Sequence, residues 1–598
     1  MVIKPTPSYS VTEGASSALQ YLVECFQSQI PKEFLDRVPN VRFTSKADPG
    51  DDVYFPCPMK EQEATAAVQA LEGCAVAAIA DLRFGSSEKP RGITVNVDRT
   101  ACFLMSAYIS TIDGMDKQTP GVKSKLPDTD LNKAQSILYR RLSANLYETA
   151  TPGEYYHIHG SLEADTTLSM LGMPTHRPDL TDYRECINTI EAVVRQFTVA
   201  ELEELNNQNR QAGVPALKWE TYQSTSHGSV LSQLPPLTLT QTEDASPPAP
   251  LPRGAADSQL NGRSALAYPD SSARGALEGI KVLELCRVIA GPTIGRSLAA
   301  HGASVLKVTS PKLPDVPFFQ VDVNIGKHCC SLDLKTDTDR EVFATLLAEA
   351  DVVLDGYRPG SLSHLGVGAE DLARLGAQRG KGYIYVAEDC FGGTGLESHV
   401  SKPEDMNKLE WRNRPGWQQI ADCATGVAWE QGKFMGLDEP VIPPFPMSDY
   451  GTGALGALGA LAGLWKREKH GGSWACRTSL SQYDIFLLNL GLYPREVQER
   501  LKARHDAEFF QLRHADSVDE VGRRALKSLK RLHPQLVSDA MMVESWSDGF
   551  GAQLRWPKET IAVDGVKVTH TRPARPNGAD EPKWGQWEVN PGISKAEV

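Results

Sequence analysis

Residues 280–308 read IKVLELCRVIAGPTIGRSLAAHGASVLKV, and this stretch decides the fold class. Residues 280–286 form the continuous apolar pattern of a buried strand, and residues 303–308 form a second one. Between them, Pro292 suits the first turn of a helix and Gly302 suits its end. A strand, a helix and a strand in succession predict a βαβ unit, and therefore a parallel sheet with helices packed on it.

The same alternation continues further along the chain. Residues 340–350 have the pattern of a helix, and residues 351–357 and 382–389 have the pattern of strands. Parallel strands need a crossover connection, which is usually a helix. The pattern therefore predicts an α/β protein whose main domain is a Rossmann-like open parallel sheet.

The composition is that of a soluble globular protein with more than one domain. The chain has 598 residues, of which 41% are hydrophobic and 23% charged, and its net charge is −13. This charge argues against nucleic-acid binding, since phosphate recognition needs clustered lysine and arginine. The N-terminus lacks the apolar core of a signal peptide, and the longest small-apolar run, residues 451–465, is shorter than the roughly 20 residues of a membrane span. We therefore expect neither nucleic acid nor a membrane as a partner.

The cysteines and histidines do not predict a metal site. The 11 cysteines have no repeated CxxC spacing, so neither a zinc site nor a disulfide framework is indicated. The HIH sequence at residues 157–159 places two histidines on one face of a strand, but no third ligand of suitable spacing follows, and structural histidines are the better interpretation. A reducing, cytoplasmic location fits this cysteine usage.

Composition also divides the chain. Residues 232–276 are rich in Pro, Ser, Ala and Gly, lack periodicity and are predicted to be an extended linker. They separate an N-terminal part, residues 1–231, from a C-terminal part, residues 277–531. Residues 532–598 carry short β-like runs and are predicted to form a small β-rich appendage.

An internal repeat relates the two parts. FPCPMKEQEATAAVQALEGCAVAAI, residues 55–79, resembles FPMSDYGTGALGALGALAGLW, residues 445–465, and each is followed by a basic loop and a strand. Alignment on the Pro-Met pair places Glu61 opposite Asp449. The pattern predicts a tandem repeat of incomplete copies.

Asp449 is the most conspicuous polar residue of the second copy. As an ordinary helix N-cap it would accept hydrogen bonds from the backbone two or three residues on. That role does not account for Gly451 and Gly453, because two glycines in a first turn cost helix stability. The glycines indicate that something approaches the backbone closely, and free N–H groups beside the acid could stabilise an oxyanion.

Two loops follow predicted strands, where open α/β sheets bind ligands. Residues 287–296, RVIAGPTIGR, lead into a helix whose N-terminus could hold an anion, but they lack the GxGxxG of dinucleotide sites and the GKS or GKT of a P-loop. Residues 355–368 carry Arg358, which is either a ligand contact or a surface arginine in a Pro-Gly turn. The pattern alone leaves both questions open.

Five segments together resemble CoA-transferase family III, the CaiB/BaiF family of formyl-CoA transferase and carnitine CoA-transferase. In chain order they are LEGIKVLELCRVIAGPTIGRSLAAHGASVLKV (277–308), CSLDLKT (330–336), ADVVLDGYRPGSLSHLGVG (350–368), RPGWQQIADCATG (414–426) and MSDYGTGALGALGALAGLWKR (447–467). The resemblance covers about residues 277–485, in the family's order and spacing.

The resemblance implies an acyl-CoA thioester and a small carboxylic acid as substrates, with no permanently bound cofactor. The family's nucleophilic aspartate falls on Asp449. Positions that contact CoA in the family fall on Val288, Ile289, Ala290, Leu332, Asp333, Lys335, Gly356, Tyr357, Arg358, Arg414 and Trp417. The implied fold is a Rossmann-like large domain with a smaller α/β domain, interlocked either as a homodimer or, in this two-part chain, as an intrachain pseudo-dimer.

The implied reaction explains why the residue is an aspartate. Its carboxylate attacks the thioester carbonyl to give an acyl-aspartyl anhydride and CoA thiolate, which returns to form an aspartyl-CoA thioester. An acceptor carboxylate completes the exchange, and water must be excluded throughout.

The sequence departs from the family at two positions. The racemase branch has a catalytic histidine where this chain has Trp417, and the next position, often aspartate, is Gln418. These changes disfavour an acyl-CoA racemase and leave a catalytically silent CoA-binding protein or scaffold as the main alternative to a CoA-transferase. The part before the linker, which resembles the family's later segments, is expected to be the inactive copy.

Overall fold

The structure is a computed structural model that describes residues 9–26, 29–45, 51–86, 89–251 and 274–585. Within these residues the strands are β1 (Val41–Thr44), β2 (Ile93–Asn96), β3 (Thr111–Ile112), β4 (Ala144–Glu148), β5 (Tyr155–His159), β6 (Ala212–Pro215), β7 (Leu237–Glu243), β8 (Lys281–Leu285), β9 (Ser304–Thr309), β10 (His328–Ser331), β11 (Val352–Asp355), β12 (Ile384–Asp389), β13 (Ser473–Ser479), β14 (Met542–Ser547), β15 (Ala552–Pro557) and β16 (Ile561–Val563).

The α-helices of the described residues are α1 (Val11–Phe26), α2 (Lys32–Leu35), α3 (Glu61–Phe84), α4 (Val97–Leu104), α5 (Ser106–Ile109), α6 (Leu138–Arg141), α7 (Ala164–Met170), α8 (Tyr183–Val194), α9 (Val199–Asn209), α10 (Trp219–Ser224), α11 (Ser226–Leu231), α12 (Ala290–Ala300), α13 (Gln320–Val323), α14 (Asp337–Glu349), α15 (Ser361–His364), α16 (Ala369–Arg379), α17 (Asp405–Lys408), α18 (Gln418–Thr425), α19 (Val427–Phe434), α20 (Met447–His470), α21 (Leu480–Asn489), α22 (Arg495–Arg504) and α23 (Val518–Leu532).

The main sheet confirms the α/β prediction. Its seven strands run in the order β10-β9-β8-β11-β12-β13-β7, and every neighbouring pair is parallel except β13 and β7. The unit predicted from residues 280–308 is present as β8, α12 and β9, with Lys281 opposite Ser304. Three smaller three-stranded sheets lie around it, in the orders β1-β2-β16, β14-β15-β3 and β4-β5-β6.

The linker prediction is wrong for its first residues. Strand β7 lies within the segment 232–276 and forms the edge of the main sheet. Its side chains Leu237 and Leu239 are buried, and its backbone pairs with β13. A Pro- and Ser-rich stretch therefore supplies a strand because it finds a pairing partner more than 200 residues away. Residues 252–273 of the predicted linker lie outside the described residues.

The predicted C-terminal appendage is not separate from the rest of the protein. Residues 542–563 do form short strands, but β15 pairs with β3 and β16 pairs with β2, both from the N-terminal part. Strand β7, from the predicted linker, joins the sheet of the C-terminal part. The predicted linker and the predicted appendage therefore each add an antiparallel edge strand to a sheet of another part, β7 beside β13 and β16 beside β2.

Two long helices pack against each other at the centre of the core. Helices α3 and α20 each have 24 residues, and their N-cap residues have nearly the same conformation, Lys60 at φ −84° and ψ 55° and Pro446 at φ −85° and ψ 58°. Helix α1 packs on α3 as α12 packs on α20. Among the described residues α3 is the one helix long and apolar enough to cross a membrane, and 89% of its apolar window is buried inside the protein.

Glycine contacts fix how the two helices correspond. A Cβ atom on Gly73 would lie 2.7 Å from a side chain of β2, and a Cβ atom on Gly459 would lie 2.0 Å from a side chain of β13. Both glycines therefore permit the helix to contact the strand that follows it. This register pairs Glu63, and not Glu61 as the alignment predicted, with Asp449, and each of the two acids is the third residue of its helix.

Candidate active site

Asp449 lies in the first turn of α20, but it is not the N-cap. The N-cap is Pro446, which follows Phe445 at φ 64°, so the chain enters the helix through a sharp turn. The Asp449 carboxylate is partly exposed, and no described residue donates a hydrogen bond to it. It is therefore available to react with a ligand.

The glycines that follow Asp449 serve helix packing. A Cβ atom on Gly451 would lie 2.0 Å from the ring of Tyr483, and one on Gly453 would lie 2.5 Å from the Cβ atom of Thr293 in α12. The predicted close approach to the backbone is therefore confirmed, and protein side chains make it.

Asp449 lines a cavity of about 670 Å³. All the residues that the family resemblance predicted for the site line the same cavity: Asp449, Val288, Ile289, Ala290, Leu332, Asp333, Lys335, Gly356, Tyr357, Arg358, Arg414 and Trp417. Most of them follow β8, β10 and β11, because the carboxyl ends of parallel strands meet at one edge of a sheet. The structure brings these residues together, and their individual roles stay predictions.

The loop after β8 is strained where it enters the cavity. Val288 has φ 68°, a conformation that is rare for a β-branched residue and costs about 1–3 kcal/mol. Helix α12 begins two residues later, at Ala290. The strain fixes the path of the chain beside Asp449.

Cationic side chains surround the mouth of the cavity. Lys312, Lys335 and Arg358 are exposed, and Arg287 and Arg414 are half-buried. Four of these five have a polar partner among the described residues. The Lys312 ammonium lies 2.5 Å from the Asp333 carboxylate, and Arg414 Nη1 lies 2.7 Å from Glu203. Arg287 donates to the carbonyl oxygen of Pro314 at 2.9 Å, and Arg358 donates to that of Arg210 at 3.3 Å. This arrangement suits a ligand with several phosphate groups. Sequence reasoning missed both Arg287, which stands directly after the predicted strand 280–286, and Lys312, which lies in the loop after the predicted strand 303–308.

The N-terminal part covers the cavity with a histidine from β5. The rings of His159 and Trp417 stack with their centroids 5.3 Å apart, and His159 Nε2 lies 3.2 Å from Gln419 Oε1. Burial lowers the pKa of His159 to about 3, so the ring is neutral. The described residues contain no group of three His, Cys, Asp or Glu side chains that could hold a metal ion.

Buried carboxyl groups lie behind Asp449. The Ser448 hydroxyl lies 2.7 Å from Asp484 and 3.1 Å from Asp422, and Thr425 donates to Asp484 at 3.0 Å. Burial, with the nearby Asp484 charge, raises the pKa of Asp449 to about 8. Burial also raises the pKa of Asp484 to about 7 and that of Asp422 well above its ordinary value. These surroundings favour the protonated form of Asp449.

Two further residues complete the surroundings of Asp449. Glu388, at the end of β12, lines the cavity, and burial and the charge of Asp449 raise its pKa well above the usual range. Because Glu388 lies at the carboxyl end of a predicted parallel strand, the sequence could have identified it as a residue of the site. Gln418 donates its side-chain amide to Asp422, so the position that is often an aspartate in the family here holds a neutral partner.

The family model and the two sequence relatives that follow agree with one another. Residues 277–514 match the family model for CoA-transferase family III. The chain is 30% identical over 573 residues to an acetyl-coenzyme A transferase of Hypoxylon pulicicidum, covering 93% of this chain and 90% of that protein. It is 31% identical over 466 residues to an acyl-CoA transferase of Gibberella moniliformis, covering 76% of each. A CAIB/BAIF family crystal structure from Brucella suis aligns with a TM-score of 0.35 and 19% identity, over 52% of this chain and 97% of that one.

Proposed function

The chain belongs to CoA-transferase family III, and we propose that it moves CoA from an acyl-CoA thioester to a carboxylic acid with Asp449 as the nucleophile. The observation that carries the proposal is a carboxylate without a hydrogen-bond donor among the described residues, placed in a cavity whose mouth is cationic. A CoA thioester has the complementary shape and charge, with phosphates at one end and a reactive carbonyl at the other.

Binding follows from the lining of the cavity. Lys312, Lys335 and Arg358 at the mouth would hold the phosphates of CoA through charge-assisted hydrogen bonds. The apolar middle, which includes Leu332 and Tyr357, would cover the pantetheine arm and exclude water. The thioester carbon then reaches Asp449, the one predicted nucleophile in the lining.

The chemical steps conserve the energy of the thioester. The Asp449 carboxylate attacks the thioester carbon, the carbon–sulfur bond breaks and CoA leaves as a thiolate, which gives an acyl-aspartyl anhydride. The thiolate attacks the aspartyl carbonyl, which releases the first acid and leaves an aspartyl-CoA thioester. The acceptor carboxylate attacks the carbonyl of the aspartyl-CoA thioester, which expels CoA thiolate and forms a second anhydride. The thiolate then attacks the acceptor's carbonyl carbon in that anhydride, which gives the new acyl-CoA and frees the Asp449 carboxylate. No external proton or electron is required.

Buried acids around Asp449 suit these steps. When Asp449 bonds to the thioester carbon, its negative charge moves to the carbonyl oxygen of the thioester. A neutral Glu388 can donate a hydrogen bond to this oxyanion. Burial and the nearby Asp484 charge, which raise the pKa of Asp449, disfavour its ionised form, and a poorly solvated carboxylate is a more reactive nucleophile than a solvated one.

We also propose that the chain is a tandem pseudo-dimer with one active site. The matched helices α3 and α20 and the exchanged strands β7 and β16 support this reading. Glu63, the counterpart of Asp449, is fully buried and accepts hydrogen bonds from Tyr9 at 2.9 Å and Tyr493 at 2.7 Å. It lines neither cavity described here. The predicted cytoplasmic location and the oligomeric state of the whole chain stay predictions.

The altered pair Trp417-Gln418 favours one alternative, a CoA-binding protein without catalysis. Trp417 stacks on His159 in the lining that also contains Asp449, and Gln418 donates a hydrogen bond to Asp422. A racemase is less well supported, since the low pKa of His159 makes it a poor base.

Trapping of the covalent intermediate tests the proposal. The full chain is incubated with acyl-CoA thioesters of two to eight carbons and treated with hydroxylamine, which converts an aspartyl thioester to a hydroxamate that peptide mass mapping can locate. We expect modification at Asp449 and none in D449N. Measurable CoA binding without modification of the wild-type protein would instead establish the silent binder.

A further inference from the structure

A second, smaller chamber of about 60 Å³ adjoins Asp449. The two cavities share six lining residues: His159, Ser161, Val288, Ile289, Trp417 and Asp449. The nucleophile therefore stands at the boundary between the large cavity and this chamber. An acyl group bonded to Asp449 can extend into the chamber while CoA occupies the large cavity.

Two cations, Lys117 and Arg141, line the chamber, and both form ion pairs with the carboxylate of Asp519. The Lys117 ammonium lies 2.5 Å from Asp519 Oδ1, and Arg141 Nε lies 3.1 Å from Asp519 Oδ2. Although burial alone would raise it, the neighbouring Arg141 and Lys117 hold the pKa of the Asp519 carboxyl well below its ordinary value. Lys117 also lies between the rings of Tyr108 and Phe319, 4.8 Å and 4.9 Å from their centroids. The cluster as a whole carries one positive charge.

Arg141 retains unused hydrogen-bonding capacity. Its Nε bonds to Asp519, but its terminal nitrogens make no hydrogen bond with the described part of the chain, and its side chain is 14% exposed. A guanidinium has five N–H donors, and those that face a chamber need an acceptor or water. Neighbouring His157 and His159 are neutral and add no positive charge to the cluster, because burial first and the Arg141 charge in addition lower their pKa values.

From this geometry we propose that Lys117 and Arg141 select acyl groups that carry a second carboxylate, so that the substrate acid is a dicarboxylic acid of three or four carbons. This inference rests on the proposed function and adds its substrate class. A second carboxylate would balance the charge of the cluster and accept the free N–H groups of Arg141. Lys117 and Arg141 belong to the N-terminal part of the chain, whereas Asp519 lies in the first turn of α23, in the C-terminal part.

The size of the chamber agrees with this substrate class. A volume of 60 Å³ holds about four to six water molecules. Beyond its reacting carboxyl carbon and oxygens, a succinyl group has two methylene carbons and one carboxylate, which is five non-hydrogen atoms.

The competing interpretation is that the cluster only ties α23 to the N-terminal part. The two interpretations differ in what an Arg141 variant does to selectivity. A structural tie affects all thioesters alike, whereas a selecting residue affects succinyl-CoA and spares butyryl-CoA, which has the same chain length without the second carboxylate.

The test measures CoA release in the first half-reaction of the full chain with succinyl-CoA and with butyryl-CoA. Wild type should favour succinyl-CoA in kcat/KM. R141Q should lower the succinyl-to-butyryl ratio about tenfold or more, which is the size expected for loss of a charge-assisted hydrogen bond. D519N, which leaves two cations without their anion, should raise the ratio above that of wild type. R141K, which keeps the charge, should give a ratio between those of R141Q and wild type.

A matched control is R184Q. Arg184 also bonds a carboxylate of the segment before α23, Asp516, at 2.7 Å, but it lines neither cavity. R184Q should leave the succinyl-to-butyryl ratio unchanged. An active R141Q with the wild-type ratio, or a wild type that prefers butyryl-CoA, overturns the inference alone. A chain that forms no aspartyl adduct with either thioester overturns the proposed function and this inference with it.

Discussion

Raising the pH should increase the rate of the first half-reaction, because Asp449 must ionise to attack. Burial and the charge of Asp484 raise the pKa of Asp449 from 3.8 to about 8. For an acid whose folded pKa is raised, the neutral form predominates below that pKa, and the carboxylate accumulates as the pH rises through it. Only the carboxylate is a nucleophile.

The magnitude follows from the pKa. With a value of about 8, the ionised fraction of Asp449 is about 1% at pH 6, about 9% at pH 7 and about 50% at pH 8. Since kcat/KM reports ionisations of the free enzyme, it should rise about fiftyfold between pH 6 and pH 8 and level off above pH 9.

The assay is stopped-flow detection of CoA thiol release from an acyl-CoA, with non-enzymatic hydrolysis subtracted at each pH. D484N removes the like charge beside Asp449 and so lowers the pKa of Asp449. The rising limb of the plot of kcat/KM against pH should therefore move to lower pH. The matched control is E63Q, which removes a buried carboxyl from the corresponding turn of α3 and should leave the limb in place.

Two results would refute the reasoning. One is a kcat/KM that stays constant from pH 6 to pH 8 in an active enzyme. The other is a limb that does not move in D484N. A limb centred near pH 6 in wild type and both variants would report ionisation of a phosphate group of CoA, whose second pKa is about 6, and not of Asp449.

Three further predictions concern the two paired helices. In G453A the new Cβ atom would lie 2.5 Å from Thr293, so we expect the free energy of unfolding to fall by about 1–3 kcal/mol and the activity to fall with it. Thermal unfolding and kcat/KM measure the two effects, and wild-type values of both would contradict the prediction. Wild type should lose stability relative to D449N as the pH rises from 5 to 8, because Asp449 ionises more readily in the unfolded chain than in the folded one. The difference in the free energy of unfolding, measured in urea, should grow by up to about 1.4 kcal/mol per pH unit, and a constant difference would contradict the raised pKa. E63Q should keep wild-type transfer activity within twofold, and its inactivity would give Glu63 a catalytic role.

The sequence predicts well what depends on local pattern. The βαβ unit of residues 280–308 is determined by apolar runs, one proline and one glycine, and the structure has it at nearly the predicted bounds. The residues that the family resemblance assigned to the site converge on one cavity because they follow parallel strands, whose carboxyl ends meet in any open sheet. Neither result requires knowledge of distant contacts.

The sequence fails where the structure depends on distant partners. Strand β7 lies in a Pro- and Ser-rich segment, and only pairing with β13 distinguishes it from a linker. Pairing of β16 with β2 likewise joins residues more than 450 positions apart. The register of α3 against α20 depends on where each helix begins, which a shared Pro-Met pair does not determine.

The proposed pseudo-dimer gives a reason for retaining a copy without a nucleophile. In that proposal Glu63 is the counterpart of Asp449, and two tyrosine hydroxyls hold it in the core. The N-terminal part nevertheless supplies His159 to the wall of the cavity and Lys117 and Arg141 to the chamber beside Asp449, and the segment that follows it supplies β7 to the edge of the main sheet. Truncation up to the end of β7 would therefore remove lining residues of both cavities and an edge strand. If Asp449 is the nucleophile, selection on it acts on both parts of the chain, and the N-terminal copy is free to change only where it does not face that residue.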